Sequence, residues 1–240
     1  SGTENRGPAF ARNTLLEASD TELIHLHDAD DTFIDPRFVE VMSSLAGEET
    51  AAVCTWDMVK KNGDVRSFIY EGVDDWAQFL ISGYAHLDAV IYPRNFLIEH
   101  GAFDEDMIQC DELLMNAKMA GYGLSFVYTD EVKALHERRS GSLIDDLEPA
   151  EPHEWAIRMC ERLLDHLDPV YHHQVGKKAL YHTVGLARAE ATDDWVQRGI
   201  QVMERAGLST IATHGRITRW ISQILGNYHA IRYIASNAKF

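Results

Sequence analysis

An apolar run that stops in three carboxylates, Leu23-Ile24-His25-Leu26-His27-Asp28-Ala29-Asp30-Asp31, constrains this chain more than any other stretch. Residues 23–27 read as a short strand, and the acids fall where it stops. In an α/β sheet ligands bind at the carboxyl ends of strands. Three carboxylates so close repel one another and are costly to bury unpaired. A divalent cation resolves this, and an oxygen-rich cluster suits Mg²⁺ or Mn²⁺, ions that commonly hold a diphosphate. Taken alone, the triplet also reads as a solvated turn, with Asp31 or Asp35 as a helix cap.

The chain has 240 residues, of which 45% are hydrophobic. That is enough for one large domain, or a domain with an extension. The formal charge of −16 argues against general affinity for nucleic acid. Cys54, Cys110 and Cys160 stand far apart, without metal-type spacing, which suits a reducing, cytoplasmic compartment. No apolar run approaches a membrane span, and Ser1-Gly2-Thr3-Glu4-Asn5 has none of the parts of a signal peptide. Charge is uneven, since 29 of the 38 acidic residues lie in residues 1–150. Leu147-Glu148-Pro149-Ala150-Glu151-Pro152 reads as a linker because two prolines interrupt a helix there. The expected division is a core over 1–148 and a helical subdomain over 149–240.

Gly7-Pro8 opens a helix to Ala18, with proline in the first turn. Asp35-Pro36 predicts a helix carrying Phe38, Val41, Met42 and Leu45 inward. Strands at 51–59 and 65–70 flank Lys61-Asn62-Gly63-Asp64, a hairpin signal. A helix at 74–81, a strand at 89–92 stopped by Pro93, and a helix at 94–100 follow. Next come a helix at 110–120 and two short strands, 124–128 and 132–135. Beyond the linker the pattern is helical: 153–167, 170–190, 193–206 and 214–235. Strands alternate with helices around one hairpin, which predicts an α/β fold with a mainly parallel mixed sheet.

Four patterns stand in order: Asn5-x-Gly7 with Ala11-Arg12-Asn13; Asp28-Ala29-Asp30-Asp31; Gly101-x-Phe103-Asp104-Glu105 with Asp111; and His136 followed by Ser140. Their succession over residues 5–142 resembles the family-two inverting glycosyltransferases of the GT-A fold. The resemblance implies transfer of a sugar from a nucleotide-sugar donor to a hydroxyl of a glycan, lipid-linked or protein acceptor, with a divalent cation, Mn²⁺ or Mg²⁺. It implies that Asp30 touches the metal, that Asp28 meets the ribose or a metal-bound water, and that Asp111 is the general base. By the same resemblance His136 completes the metal site or touches the diphosphate, and Arg12 and Asn13 shape the nucleotide pocket. Arg138, Arg139, Ser140 and Ser142 would close over the phosphates. Each has a plainer reading: Asp111 as a helix cap, Arg12 and Asn13 as a polar helix face, His136 as structural, and the arginines as solvated. The other nine histidines show no metal-ligand spacing. Cys110 stands where the family has Glu, and Ala102 where it has Gly. Two strand–helix units that open the family fold are missing, so the stretch reads as an N-terminally incomplete core.

Asp28-x-Asp30-x-Thr32 also resembles the nucleophile motif of haloacid-dehalogenase-type phosphatases, with Lys133 and Asp145-Asp146 as the further parts that family requires. A third reading is a non-catalytic, degenerate transferase core acting as an interaction module. At the C-terminus, Ile217, Ile221, Ile224, Tyr228 and Ile231 line one helical face. Residues 196–240 carry six basic side chains against Glu204. The expected use of this stripe is packing on the preceding helices, with membrane contact at most peripheral, at the inner face.

Overall fold

The computed structural model describes residues 6–28, 31–33, 35–137, 147–208 and 226–237. The chain divides into two compact units, Ser1–Asp146 and Leu147–Phe240. The first opens with α1 (Pro8–Ala18), β1 (Leu23–His25), β2 (Thr32–Phe33) and α2 (Phe38–Leu45). The hairpin β3 (Thr50–Val59) and β4 (Val65–Phe68) follows, then α3 (Trp76–Ser82). A 3₁₀ turn at Leu87–Ala89 leads into β5 (Val90–Pro93), α4 (Arg94–Glu99), α5 (Asp111–Gly121) and β6 (Ser125–Glu137).

The strands form one six-stranded sheet in the order β1-β5-β3-β6-β2, with β4 paired to β3. β3 is central, and Ala51, Ala52, Val53, Cys54 and Trp56 are all buried. A strand covered on both faces needs such a continuous apolar run. The expected α/β sheet with flanking helices is present, but its balance of directions differs from the mainly parallel arrangement. Only β3 and β6 pair in parallel among the described residues; every other pairing is antiparallel. Helix–strand alternation misleads here because a helix can join strands that are not neighbours. α2 links β2 to β3, and β6 lies between them.

The two expected strands at 124–128 and 132–135 are one strand. Its register against β3 jumps from Cys54↔Thr129 to Thr55↔Lys133, so Asp130 and Glu131 bulge outward and are exposed. The helix expected from Asp35-Pro36 starts at Phe38. Asp35 instead closes a turn, accepting the Arg37 amide at 2.9 Å.

The second unit holds α6 (Glu151–His166), α7 (Pro169–Arg188), α8 (Asp193–Arg205) and α9 (Asn227–Asn237). Pro152 does not break α6; it sits in the first turn, where a missing N–H costs nothing. α7 packs on α6, α8 and α9. Gly199 lets α8 approach α7 closely, since a Cβ there would stand 2.2 Å from Thr183 Oγ1. Of the C-terminal apolar stripe, Ile217, Ile221 and Ile224 lie outside the described residues. Ile231 is buried, and Tyr228 and Arg232 both bind Asp193 of α8, at 2.6 and 2.7 Å. No helix among the described residues is long and apolar enough to cross a membrane.

One buried amide ties α5 to the sheet. Asn116 accepts the Tyr92 hydroxyl at 2.7 Å and donates to the Ala85 carbonyl at 2.9 Å. Asn116→Ala strands both partners without water and should cost about 3 kcal/mol, read as a lowered midpoint in urea unfolding. An unchanged midpoint would show that the amide carries no such tie.

Candidate active site

β1, β3 and β6 run one way and β5 runs against them. The carboxyl ends of β1 and β6 therefore share an edge of the sheet with the amino end of β5. His25, His27 and Asp28 leave β1 at that edge. His136 sits near the end of β6, and His86 and Asp88 lead into β5.

Arg12 of α1 ties this edge to the start of α5. Its guanidinium donates to Asp111 Oδ2 at 2.5 Å and to Asp28 Oδ1 at 3.0 Å. The Arg12 and Asp111 side chains are 14% and 8% exposed, and that of Asp28 is 43% exposed. Burial favours the neutral form of Asp111 and raises its pKa, against the opposing charge of Arg12. A carboxylate so placed holds a proton more readily than one in water, which suits proton abstraction near neutral pH. The next residue, Glu112, is also raised by burial and accepts the Tyr84 hydroxyl. Cys110, just before them, has φ of 60°, a left-handed conformation rare outside glycine.

Asn13 turns elsewhere. Its amide donates to the Phe103 carbonyl at 2.9 Å and to Glu105 at 3.2 Å, and its oxygen accepts the Phe103 amide at 3.2 Å. It holds the Gly101–Glu105 loop against α1, and the nucleotide-pocket role expected of it has its amide already engaged.

A second cluster lies beside Asp28, whose backbone amide donates to Asp88 Oδ1 at 3.1 Å. One ligand atom from each of Asp31, His86, Asp88 and His136 lies within 4.8 Å of the others; His25, His27 and Asp88 make a similar group. His136 Nδ1 stands 3.0 Å from Asp31, and both His86 and His27 approach Asp88, at 3.0 and 2.9 Å. Burial raises Asp31, and the adjacent Asp88 adds to this. Burial alone would raise Asp88 too, but hydrogen bonds and charge from His86, with Asp31 beside it, hold it down to about 2. Burial disfavours a charged His86, yet Asp88, Glu112 and Asp31 together raise its pKa.

No protein-family model and no curated protein sequence matches the chain. Among solved structures, residues 1–349 of S. aureus TarS, crystallised in complex with UDP-GlcNAc, align with a TM-score of 0.63. The identity is 14%, over 96% of this chain and 71% of that one. A longer S. aureus TarS structure aligns with a TM-score of 0.55 and 13% identity, over 98% of this chain but only 44% of its own. A mannosyltransferase from Pyrobaculum calidifontis, in complex with GDP-Man and Mn²⁺, aligns at 0.48 and 18% identity, over 98% and 65%. The fold is that of a GT-A-type glycosyltransferase.

Within this GT-A-type fold, the structure brings together Arg12, Asp28, Asp111 and His136 from the sequence motifs. Asp30, Arg138, Arg139, Ser140 and Ser142 lie outside the described residues. The motifs missed His86, Asp88 and Glu112. The signal available for the first two was His86-x-Asp88 directly before an apolar strand. It points to a site only if that strand runs antiparallel, so that its start reaches the ligand edge.

Arg12→Met leaves two carboxylates facing each other. It should cost about 3–5 kcal/mol at neutral pH, as expected for breaking one side of a buried pair. The variant's Asp111 pKa rises further. A raised carboxyl stabilises the folded state at low pH and loses that contribution as pH climbs through the folded value. The penalty should therefore shrink between pH 7 and pH 4, measured as the melting-temperature gap from wild type. A gap that widens toward pH 4 would contradict this pairing.

Proposed function

We propose that this chain carries the core of an inverting glycosyltransferase that moves a sugar from a nucleotide-sugar donor to an acceptor hydroxyl, with Asp111 as general base. The observation that carries this reading is the Arg12 fork. It puts Asp28, the carboxylate expected to face the donor, and Asp111, expected to face the acceptor, on one guanidinium. In a single displacement Asp111 takes the proton of the acceptor hydroxyl. The acceptor oxygen then bonds to the anomeric carbon as the bond from that carbon to the donor diphosphate breaks, and the configuration inverts. Arg12 keeps Asp111 aimed and favours its charged form before the proton moves.

The side chains at the sheet edge fit a divalent cation. Among the described residues the buried Asp31 Oδ1 and Asp88 Oδ2 accept no hydrogen bond, while Asp31 Oδ2 meets His136 Nδ1 at 3.1 Å; an ion would relieve the two unpaired oxygens. Asp31, Asp88 and His136 would hold it, with Asp30 expected nearby from its motif. When bound, such an ion offsets the charge of the diphosphate leaving group. The TarS complex with UDP-GlcNAc makes a uridine-diphosphate sugar the first donor to test. Against the phosphatase reading, Lys133 pairs with Asp57 on the neighbouring strand, at 3.7 Å. Asp145 and Asp146 lie outside the described residues.

Asp111→Asn should lower transfer by about 10²–10⁴-fold, while calorimetric binding of UDP stays near wild type. Proton NMR of the product should show the anomeric configuration opposite to that of the donor. Retained configuration, or an Asn variant transferring at the wild-type rate, would remove Asp111 from this role.

A further inference from the structure

The helical unit holds a cavity that neither the four motifs nor the sheet edge accounts for. It measures about 340 Å³ and is lined by Pro149, His153, Tyr181, Val184, Gly185 and Arg188. Ligand cavities begin at roughly 300 Å³. We propose that it binds a small phosphate ester with a ring-shaped body, such as a sugar phosphate. The phosphate would lie on Arg188 and His153, and the ring against Tyr181. The inference stands apart from the transferase reading, since every residue it uses belongs to the second unit.

A glycine seats His153. A Cβ at Gly185 would stand 2.3 Å from His153 Nε2, so any side chain there would displace the ring. The Nε2 edge thus lies against α7 at the cavity wall. The other ring nitrogen meets His182. The two Nδ1 atoms are 3.0 Å apart, so one donates and the other accepts. Burial, with the charges of Lys178 and His153, holds the His182 pKa down to about 3. His182 is therefore the partner that stays neutral, able to keep a lone pair for a proton on His153. Burial lowers His153 as well, so without an anion it is neutral at pH 7. An anion reverses this. His153 takes a proton from solvent, donates Nδ1–H to His182, and offers Nε2–H to the anion. Tyr181 stands edge-on to both imidazoles, with centroids 5.1 and 6.4 Å away, and is 60% exposed. Its ring offers an apolar face to the body of the ligand.

The charge around the cavity favours an anion. Residues 147–240 carry 11 Lys and Arg against 10 Asp and Glu, in a chain of −16. The acids in the first turn of α6 are engaged: Glu151 accepts the Glu148 amide at 3.0 Å, and Glu154 feels the charge of Arg158. The carbonyls ending α7, which would repel an anion, have partners too. Gly185 accepts the Ala189 amide and Leu186 the Ala191 amide, at 2.9 and 3.0 Å, and Ala187 accepts Arg232 at 3.3 Å. Arg188, whose Nε–H reaches the Ala235 carbonyl at 3.4 Å, supplies the planar guanidinium that suits phosphate.

The test titrates the full chain by calorimetry with glucose 6-phosphate, inorganic phosphate and glucose. EDTA is present, so that no metal-held phosphate contributes. Glucose 6-phosphate should bind once per chain, at least about tenfold more tightly than either fragment. Arg188→Gln should weaken it at least about tenfold; the side chain is exposed, so this variant should keep its fold. Protonation is read with sulfate, which does not titrate near neutral pH. Saturating sulfate should move the His153 titration, followed by proton NMR, to higher pH. Calorimetry in two buffers of different ionisation heat should show proton uptake, and His153→Gln should abolish it. A merely structural His153 would show neither effect. If His153→Gln melts early, the wild-type titration and the Arg188 variant still decide. An Arg188→Gln chain that binds like wild type, or a His153 titration that sulfate leaves unmoved, would overturn the anion site. Inorganic phosphate binding as tightly as the ester would overturn the ring contact, and glucose binding as tightly would overturn the role of the phosphate.

Discussion

One guanidinium between two carboxylates is the constraint on which the site depends. Asp28 and Asp111 come from segments 83 positions apart in the chain, and their like charges would repel without Arg12 between them. Lysine offers a point charge on a flexible stem; arginine offers a planar fork that serves two acceptors at once. For the fork to work, α1 must be fixed. Arg94 caps its carboxyl end, donating to the Leu16 carbonyl at 2.7 Å, and Asn13 bonds both backbone groups of Phe103. Neighbouring side chains on α1 thus divide the work: Asn13 sets where the helix lies, and Arg12 uses that position.

Behind this layer the sheet edge is polar inside and aromatic around it. Trp56 stacks on Phe68 with centroids 4.0 Å apart, lies 5.0 Å from the His86 ring, and donates its indole N–H to the Tyr70 hydroxyl at 2.7 Å. His86 and His136 lie 4.7 Å apart. The rings exclude water, which strengthens each charge interaction in the cluster and makes each unmade one costly. That is why two buried carboxylate oxygens without hydrogen bonds carry meaning here and would carry little on a wet surface.

Much of this was legible in the sequence, because local chemistry decided it. Asn62-Gly63 makes the β3–β4 turn, with Gly63 at φ of 85°; Pro8 and Pro93 bound elements; Arg12, Asp28 and Asp111 fall in motifs. Strand direction was not legible. It depends on which strands become neighbours, and helix–strand alternation does not reveal that β6 inserts between β3 and β2. The same gap hid His86 and Asp88. A reader who expects ligands at strand ends looks after Tyr92, whereas an antiparallel β5 brings its beginning to the site. The β6 bulge was hidden likewise, since Asp130-Glu131 looks like a turn unless one knows that both halves pair with the same partner.

The entrance to α5 shows how opposed forces set one group's chemistry. Cys110 adopts a left-handed conformation, which costs a non-glycine residue of order 1 kcal/mol. The turn it makes puts Asp111 and Glu112 in the first turn of α5, where the helix dipole favours their charged forms. Burial favours the neutral forms, and for both residues burial prevails. Their neighbours then separate them. Glu112 already receives the Tyr84 hydroxyl. Asp111 keeps a cation against one oxygen and stands at the edge of the site. Two adjacent carboxyls with similar intrinsic chemistry thus differ in their partners: Glu112 is held by the Tyr84 hydroxyl, and Asp111, the base of the proposed mechanism, is held by Arg12.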